Sequence, residues 1–377
     1  MLTSDFDYSL PPDLIAQTPV EPRDISRLMV IDKDVHKIEH KYFFDIINYL
    51  QEGDLLVWNN TKVFKARLRG EILLDIPADD IDDAREAKLH VTGKFINSSP
   101  VEIFLVRPME NKYVWKVLAK PGRKLRLGMK IRFASDFEAE VMLKEKDGTI
   151  LMQFAEDDLA VRAKANLYGE VPVPPYIQNP PSRGNLDELY QTVYAKHEGS
   201  VAAPTAGFHF TPELIEKLEK KGVQFAEVTL HVGLGTFLSV KTERVEDHKM
   251  HSEWVEITAK NADLINQAKQ EGRRVVAVGT TTVRTLEGAA LLSPPARGGA
   301  AAAVGGGGSV VQPYTGDINI FITPEFKFQI VDALITNFHL PKSTLLMLVA
   351  AFVGDRSFIL RCYQEAVKEK YRFYSFG

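Results

Sequence analysis

The chain has 377 residues, 45% of them hydrophobic and 25% charged, and carries a formal net charge of −4. That length suffices for a sizeable core and two domains, and the acidic balance confines any nucleic-acid contact to a local basic patch. One cysteine, Cys362, excludes an internal disulfide framework and a multi-cysteine zinc site.

The opening segment holds two aspartates and no apolar run of the signal-peptide kind, and the longest apolar run, Leu345–Val353, is too short to span a bilayer. With so little cysteine, the chain reads as a soluble cytoplasmic protein.

"RLMVID" (Arg27–Asp32) predicts a strand, "FFDIINYLQEG" (Phe43–Gly53) a short helix stopped by Gly53, and "DLLVWN" (Asp54–Asn59) a second strand. From Lys62 to Phe154 the pattern changes to short strands punctuated by "KPG", "LG" and "KDG", the signature of a small antiparallel barrel. A stiff Pro-rich connector, "VPVPPYIQNPPSRG", follows. Helical grammar then returns. Thr211 is an N-cap with Pro212 at the first helical position and Gly222 closing the helix, and Thr258 to Gly272 repeats the arrangement. "RRVVAVG" reads as a buried strand. The fold class predicted is an α/β main domain, residues 1–60 and 155–377, interrupted by an inserted β-barrel over 61–154. The Ala/Gly-rich stretch 296–311 fits no element.

Several stretches carry polar groups in settings suited to chemistry. "SVAAPTAGFHFTPEL" (Ser200–Leu214) is uncharged up to Glu213 and surrounds one imidazole, His209. Taken alone, a core histidine satisfied by backbone is the simpler account. "TLHVGLGTF" (Thr229–Phe237) places His231 before Gly233 and Gly235; without a third glycine opening a helix it is no dinucleotide fingerprint. "VVAVGTTTVRTLE" (Val275–Glu287) ends a buried strand in Gly and Thr280, Thr281 and Thr282, with Arg284 one turn on. A capped turn would explain the threonines, but free N–H groups at a helix start also suit an anion or a ribose hydroxyl. "TNFHLPKST" places Thr336, Asn337 and His339 at another strand end. The pair His248 and His251 lacks a third metal ligand and reads as a solvated turn.

Two basic runs fall in the barrel region. "KPGRKLRLGMKIR" (Lys120–Arg132) holds six Lys or Arg and no acid, and "KVFKARLR" (Lys62–Arg69) holds four. One such run is usually a solvated face; two in an acidic chain point to phosphate contact. No P-loop, G-x-S-x-G elbow or H-E-x-x-H pattern is present.

In their order, "MLTSDFDYSLPPDLIAQTP", "NNTKVFKARL", "PPYI", "YQTVYA", "GSVAAPTAGFHFT", "VTLHVGLGTF", "HKMHSE", "VVAVGTTTVRTLE" and "VDALITNFHLPKSTLLMLVAAF" resemble the S-adenosylmethionine:tRNA ribosyltransferase-isomerases of queuosine biosynthesis, over nearly the whole chain. The resemblance implies transfer and isomerisation of the ribosyl group of S-adenosylmethionine onto the aminomethyl group of a 7-deazaguanine in the tRNA anticodon. Adenine and methionine are released and epoxyqueuosine tRNA is formed. S-adenosylmethionine is then a cosubstrate, with no prosthetic group, no metal and no membrane partner, and the protein is expected to act as a monomer.

That chemistry needs groups that move protons near neutral pH. His209, His231 and His339 are the expected catalytic groups, together with Arg284. Thr205, Gly207, Gly233, Gly235, Thr280, Thr281, Thr282 and Asn337 are expected to hold the cosubstrate. Tyr190, Gln191, Thr192 and Tyr194 would line the nucleobase side, and Lys62, Arg67, Arg123, Lys124 and Arg126 would meet tRNA. Two departures stand out: "FITPEF" puts Glu325 where the family usually has Gly, and residues 291–317 do not resemble the family's connector. The competing expectations are an S-adenosylmethionine-dependent RNA methyltransferase, which lacks its glycine fingerprint here, and a non-catalytic tRNA-binding protein.

Overall fold

A computed structural model of the chain describes all residues except 76–90, 93–94, 175, 178–182, 234–239, 241 and 294–309. The described residues form two compact units, Met1–Lys62 with Pro174–Gly377, and Val63–Val173.

The larger unit is built on a six-stranded sheet in the order Tyr314–Ile318, Glu253–Ile257, Gln224–His231, Leu55–Asn59, Val275–Val278, Ala333–Ile335. The last four strands run parallel; Glu253–Ile257 is antiparallel to both its neighbours. Every residue of Leu55–Asn59 and of Val275–Val278 is buried, because the sheet is covered on both faces and period-2 alternation is lost. Leu55 and Val57 pack with Ile265 and Leu286 on one side; Leu56 and Trp58 pack with Leu214 and Leu218 on the other.

The helix starts follow their capping residues. Thr211 accepts from the Leu214 N–H with Pro212 in the first turn, Thr258 caps Ala259–Gln270, and Ser343 caps Thr344–Val353. The expected helix after Tyr42 is shorter and tighter, a 3-10 segment over Phe43–Asn48, and Arg27–Asp32 pairs with Lys37–Tyr42 as a separate hairpin.

In the smaller unit six antiparallel strands close on themselves: Arg67–Asp75, Lys130–Ala134, Phe137–Lys144, Ile150–Phe154, Val114–Lys120 and Phe95–Pro108, which returns to Arg67–Asp75. Alternation along Phe137–Lys144 sends Phe137, Ala139 and Val141 inward, where they join Trp115 and Phe154. The helix Asp158–Tyr168 completes the unit. The inserted antiparallel barrel and the α/β main body are the predicted fold class.

Candidate active site

The parallel strands end in Asn59, His231, Val278 and Ile335, so the segments that follow gather at one edge of the sheet, where open α/β sheets bind ligands. Asn59 knits two of these ends together. Its buried side chain accepts from the N–H groups of Leu230 (3.0 Å) and Thr61 (3.1 Å) and donates to the Leu230 carbonyl (3.0 Å).

At this edge lies a cavity of about 290 Å³, near the lower limit of small-molecule sites. Of the expected site residues, Thr205, Thr280, Thr281, Asn337, His339 and Tyr190 line it. The helix Thr280–Leu292 starts here from Gly279, whose φ of +88° only glycine adopts freely, and no side chain caps its first turn. Thr280 and Thr281 both line the cavity, and the Thr281 hydroxyl also accepts from the Asn59 amide at 3.4 Å; an uncapped helix start beside them is a setting for a carboxylate or a ribose hydroxyl. Thr282 instead turns its hydroxyl back to the Val278 carbonyl at 2.7 Å.

His339 is clamped at both backbone groups. Its N–H donates to the Tyr363 hydroxyl at 3.2 Å, and its carbonyl accepts from the Tyr8 hydroxyl. Its Nε2 lies 2.9 Å from Thr336 Oγ1, and burial lowers its pKa from 6.5 to about 3. His209 stands behind the cavity wall. Nδ1 lies 2.9 Å from Ser26 Oγ, Nε2 lies 3.3 Å from Asn337 Nδ2, and Thr205 Oγ1 donates to Asn337 Oδ1 at 2.9 Å. Burial brings its pKa down to about 4. His209 thus reaches the cavity through Asn337. His231 is outside the lining, with Nδ1 2.8 Å from Thr61 Oγ1 and its ring stacked on Trp254 at 4.8 Å.

Arg284 is buried and paired with Glu253, whose other oxygen accepts from the Gly233 N–H at 3.4 Å. Gly207 is in the turn Thr205–His209, where an added Cβ would meet the Tyr194 hydroxyl at 1.9 Å. Tyr194 stacks on Trp58 at 4.1 Å, Thr192 is buried, and Gln191 offers its carbonyl to Arg23. These groups support the turn and do not line the cavity. Gly235 lies outside the described residues. In the smaller unit Arg67 pairs with Glu102, while Arg123, Lys124 and Arg126 are exposed around a short turn; Lys62 is exposed at the end of the larger unit.

Sequence reasoning did not single out Tyr176, Tyr374 and Ser375, which line the cavity, or Glu253 and Ser26, which hold Arg284 and His209. Tyr176 sits within "PPYI", already a recognisable stretch, but nothing in periodicity marks the C-terminal "YSFG" as a cavity wall. Among the described residues no group of His, Cys, Asp and Glu is placed to hold a metal ion, and no helix is long and apolar enough to cross a membrane.

A cavity at the carboxyl edge of parallel strands, bordered by an uncapped helix start and the buried neutral His339, with His209 behind its wall, defines an α/β protein with a site for a small ligand. The chain belongs to the queuosine biosynthesis protein family, whose pattern it matches over residues 3–377. It is 48% identical over 378 residues to the S-adenosylmethionine:tRNA ribosyltransferase-isomerase of Thermotoga maritima, covering 100% of this chain and 98% of that protein. The proteins of that name from a Sulfurihydrogenibium species and from Clostridioides difficile are each 45% identical, again over 100% of this chain and 98% of the relative. The crystal structure of an S-adenosylmethionine tRNA ribosyltransferase from Thermotoga maritima is similar with a TM-score of 0.51 and 38% identity, covering 99% of this chain and 98% of that one.

Proposed function

We propose that the protein transfers and isomerises the ribosyl group of S-adenosylmethionine onto the aminomethyl group of 7-aminomethyl-7-deazaguanine at the tRNA anticodon wobble position. The products are epoxyqueuosine tRNA, adenine and methionine. The observation that carries this reading is the cavity at the strand ends in a chain whose relatives bear that enzyme's name throughout their length.

In this reading the uncapped start of Thr280–Leu292 holds the cosubstrate carboxylate or ribose hydroxyls, with Thr205 and Asn337 beside it. His339, which lines the cavity, is the group placed to exchange a proton with the substrate. His209 acts through Asn337, orienting its amide. His231 and the Arg284–Glu253 pair hold the strand end up to Gly233. Tyr190 stands at the nucleobase side, with Gln191, Thr192 and Tyr194 behind it. Arg123, Lys124 and Arg126, with Lys62 and Arg67, meet tRNA phosphates. The enzyme uses no metal or prosthetic group and works in the cytoplasm as a monomer.

The test is incubation with S-adenosylmethionine and tRNA bearing the aminomethyl-deazaguanine, followed by chromatography of the small products. Adenine and methionine that depend on that tRNA are expected. S-adenosylhomocysteine would make the protein a methyltransferase. Salt-sensitive tRNA binding without any turnover would make it a binding protein.

A further inference from the structure

Among the described residues, the cavity lining contains no Asp, Glu, Lys or Arg. His339 is neutral at pH 7, and burial pushes the Tyr176 phenol up to about 12, so it too is uncharged there. A ligand with a fixed positive charge would therefore meet no carboxylate among the described lining residues. Burying an unpaired cation in such a place is costly unless other groups replace its hydration.

The cavity does offer aromatic rings. Tyr176, Tyr190, Phe338 and Tyr374 all contribute to its wall. Tyr176 and Tyr374 stack with centroids 4.4 Å apart, and the Tyr176 hydroxyl is tied to Ser375 Oγ at 2.6 Å, so the pair is held as one unit. Tyr374 keeps its place at a φ of +68°, a conformation that side chains other than glycine seldom take. Aromatic faces carry partial negative charge and attract desolvated cations.

We propose that this aromatic wall, centred on Tyr176 and Tyr374, recognises the sulfonium of S-adenosylmethionine. The inference rests on the cosubstrate reading above and adds the group that distinguishes the cosubstrate from its uncharged thioether. The methionine ammonium is also a cation, but S-adenosylhomocysteine keeps it and loses only the methyl group and the sulfonium charge. Comparing these two ligands therefore isolates the sulfonium.

The experiment is calorimetric titration of the full chain with S-adenosylmethionine and with S-adenosylhomocysteine. The wild-type protein is expected to bind the sulfonium about tenfold more tightly than the thioether. Tyr176→Leu should weaken S-adenosylmethionine about five- to tenfold and the thioether less than about twofold, whereas Tyr176→Phe, which keeps the ring, should preserve the preference. Equal affinity of the wild-type protein for both ligands overturns the inference whether or not Tyr176→Leu folds, as does a Tyr176→Leu variant that loses both alike. If adenine is still released from S-adenosylmethionine in a tRNA-dependent way, those results leave the ribosyl-transfer reading standing. Binding of neither ligand, with no adenine release, overturns both.

Discussion

His209 and Asn337 meet at 3.3 Å, the asparagine amide donating to ring Nε2, an arrangement that suits the neutral ring. Ser26 donates its own hydroxyl to the Arg23 carbonyl at 3.0 Å, so its oxygen is free to accept from Nδ1–H. Thr205 donates to the other end of the Asn337 amide. Every group has one role, and a second proton on His209 would put N–H against NH₂.

A prediction about pH follows. The pKa of His209 falls from 6.5 to about 4, chiefly through burial. The unfolded chain therefore takes up the proton at higher pH than the folded one. The stability tied to neutral His209 is complete above pH 6.5 and is lost as pH falls towards 4. His209→Gln should cost about 1–3 kcal/mol at pH 7. The gap in melting temperature between variant and wild type should narrow steadily down to pH 4.5. A gap that stays constant over that range would mean that His209 titrates alike in both states.

Glu253 and Arg284 form a buried ion pair, and Nε and Nη2 of Arg284 have no further partner among the described residues. Removing one member leaves the other charge uncompensated. Glu253→Ala should destabilise the protein by about 3–5 kcal/mol, while the double variant Glu253→Leu with Arg284→Met should recover most of that loss. Denaturant unfolding of the three proteins measures this. If the single variant is as stable as wild type, the guanidinium is hydrated and is not held by Glu253.

Glu325 has a φ of +82°, in the region that favours glycine. Its place in "FITPEF" singled it out as a departure from the family's glycine, and the positive φ shows the physical cost of that departure. Glu325→Gly should stabilise the protein by about 1 kcal/mol, read as a higher melting temperature with unchanged turnover.

The sheet and the barrel were legible because buried runs, such as "LLVW" and "VVAV", and alternating strands, such as "FEAEV", are local patterns. The helix Asp158–Tyr168 was not, since it buries only Val161 and Ala165 and shows no broad apolar stripe. In the site, sequence could nominate three histidines but not rank them. That ranking depends on which ring nitrogens are occupied, and the occupants, Ser26, Thr61 and the adjacent Thr336 and Asn337, come from three separate parts of the chain. The aromatic wall was hidden for the same reason: Tyr176 and Tyr374 are neighbours only in the fold.

The barrel's exposed cations yield the last prediction. Arg123 and Arg126 flank buried Leu125, and the chain here is pinned by Lys144, whose ammonium donates to the Gly122 carbonyl (2.9 Å) and the Leu125 carbonyl (3.0 Å). The guanidinium groups are thus carried on an anchored turn, so less order need be imposed when they meet a polyanion. If they contact phosphates, each contact releases counter-ions, and the logarithm of tRNA affinity falls linearly with the logarithm of salt concentration. Arg123→Ala with Arg126→Ala should lower that slope by about two and weaken tRNA binding, while the affinity for S-adenosylmethionine, which the proposed function assigns to the larger unit, should not change. A slope equal to that of wild type would remove this turn from the tRNA surface. An accompanying loss of S-adenosylmethionine binding would mean that the substitutions disturb folding rather than a phosphate contact.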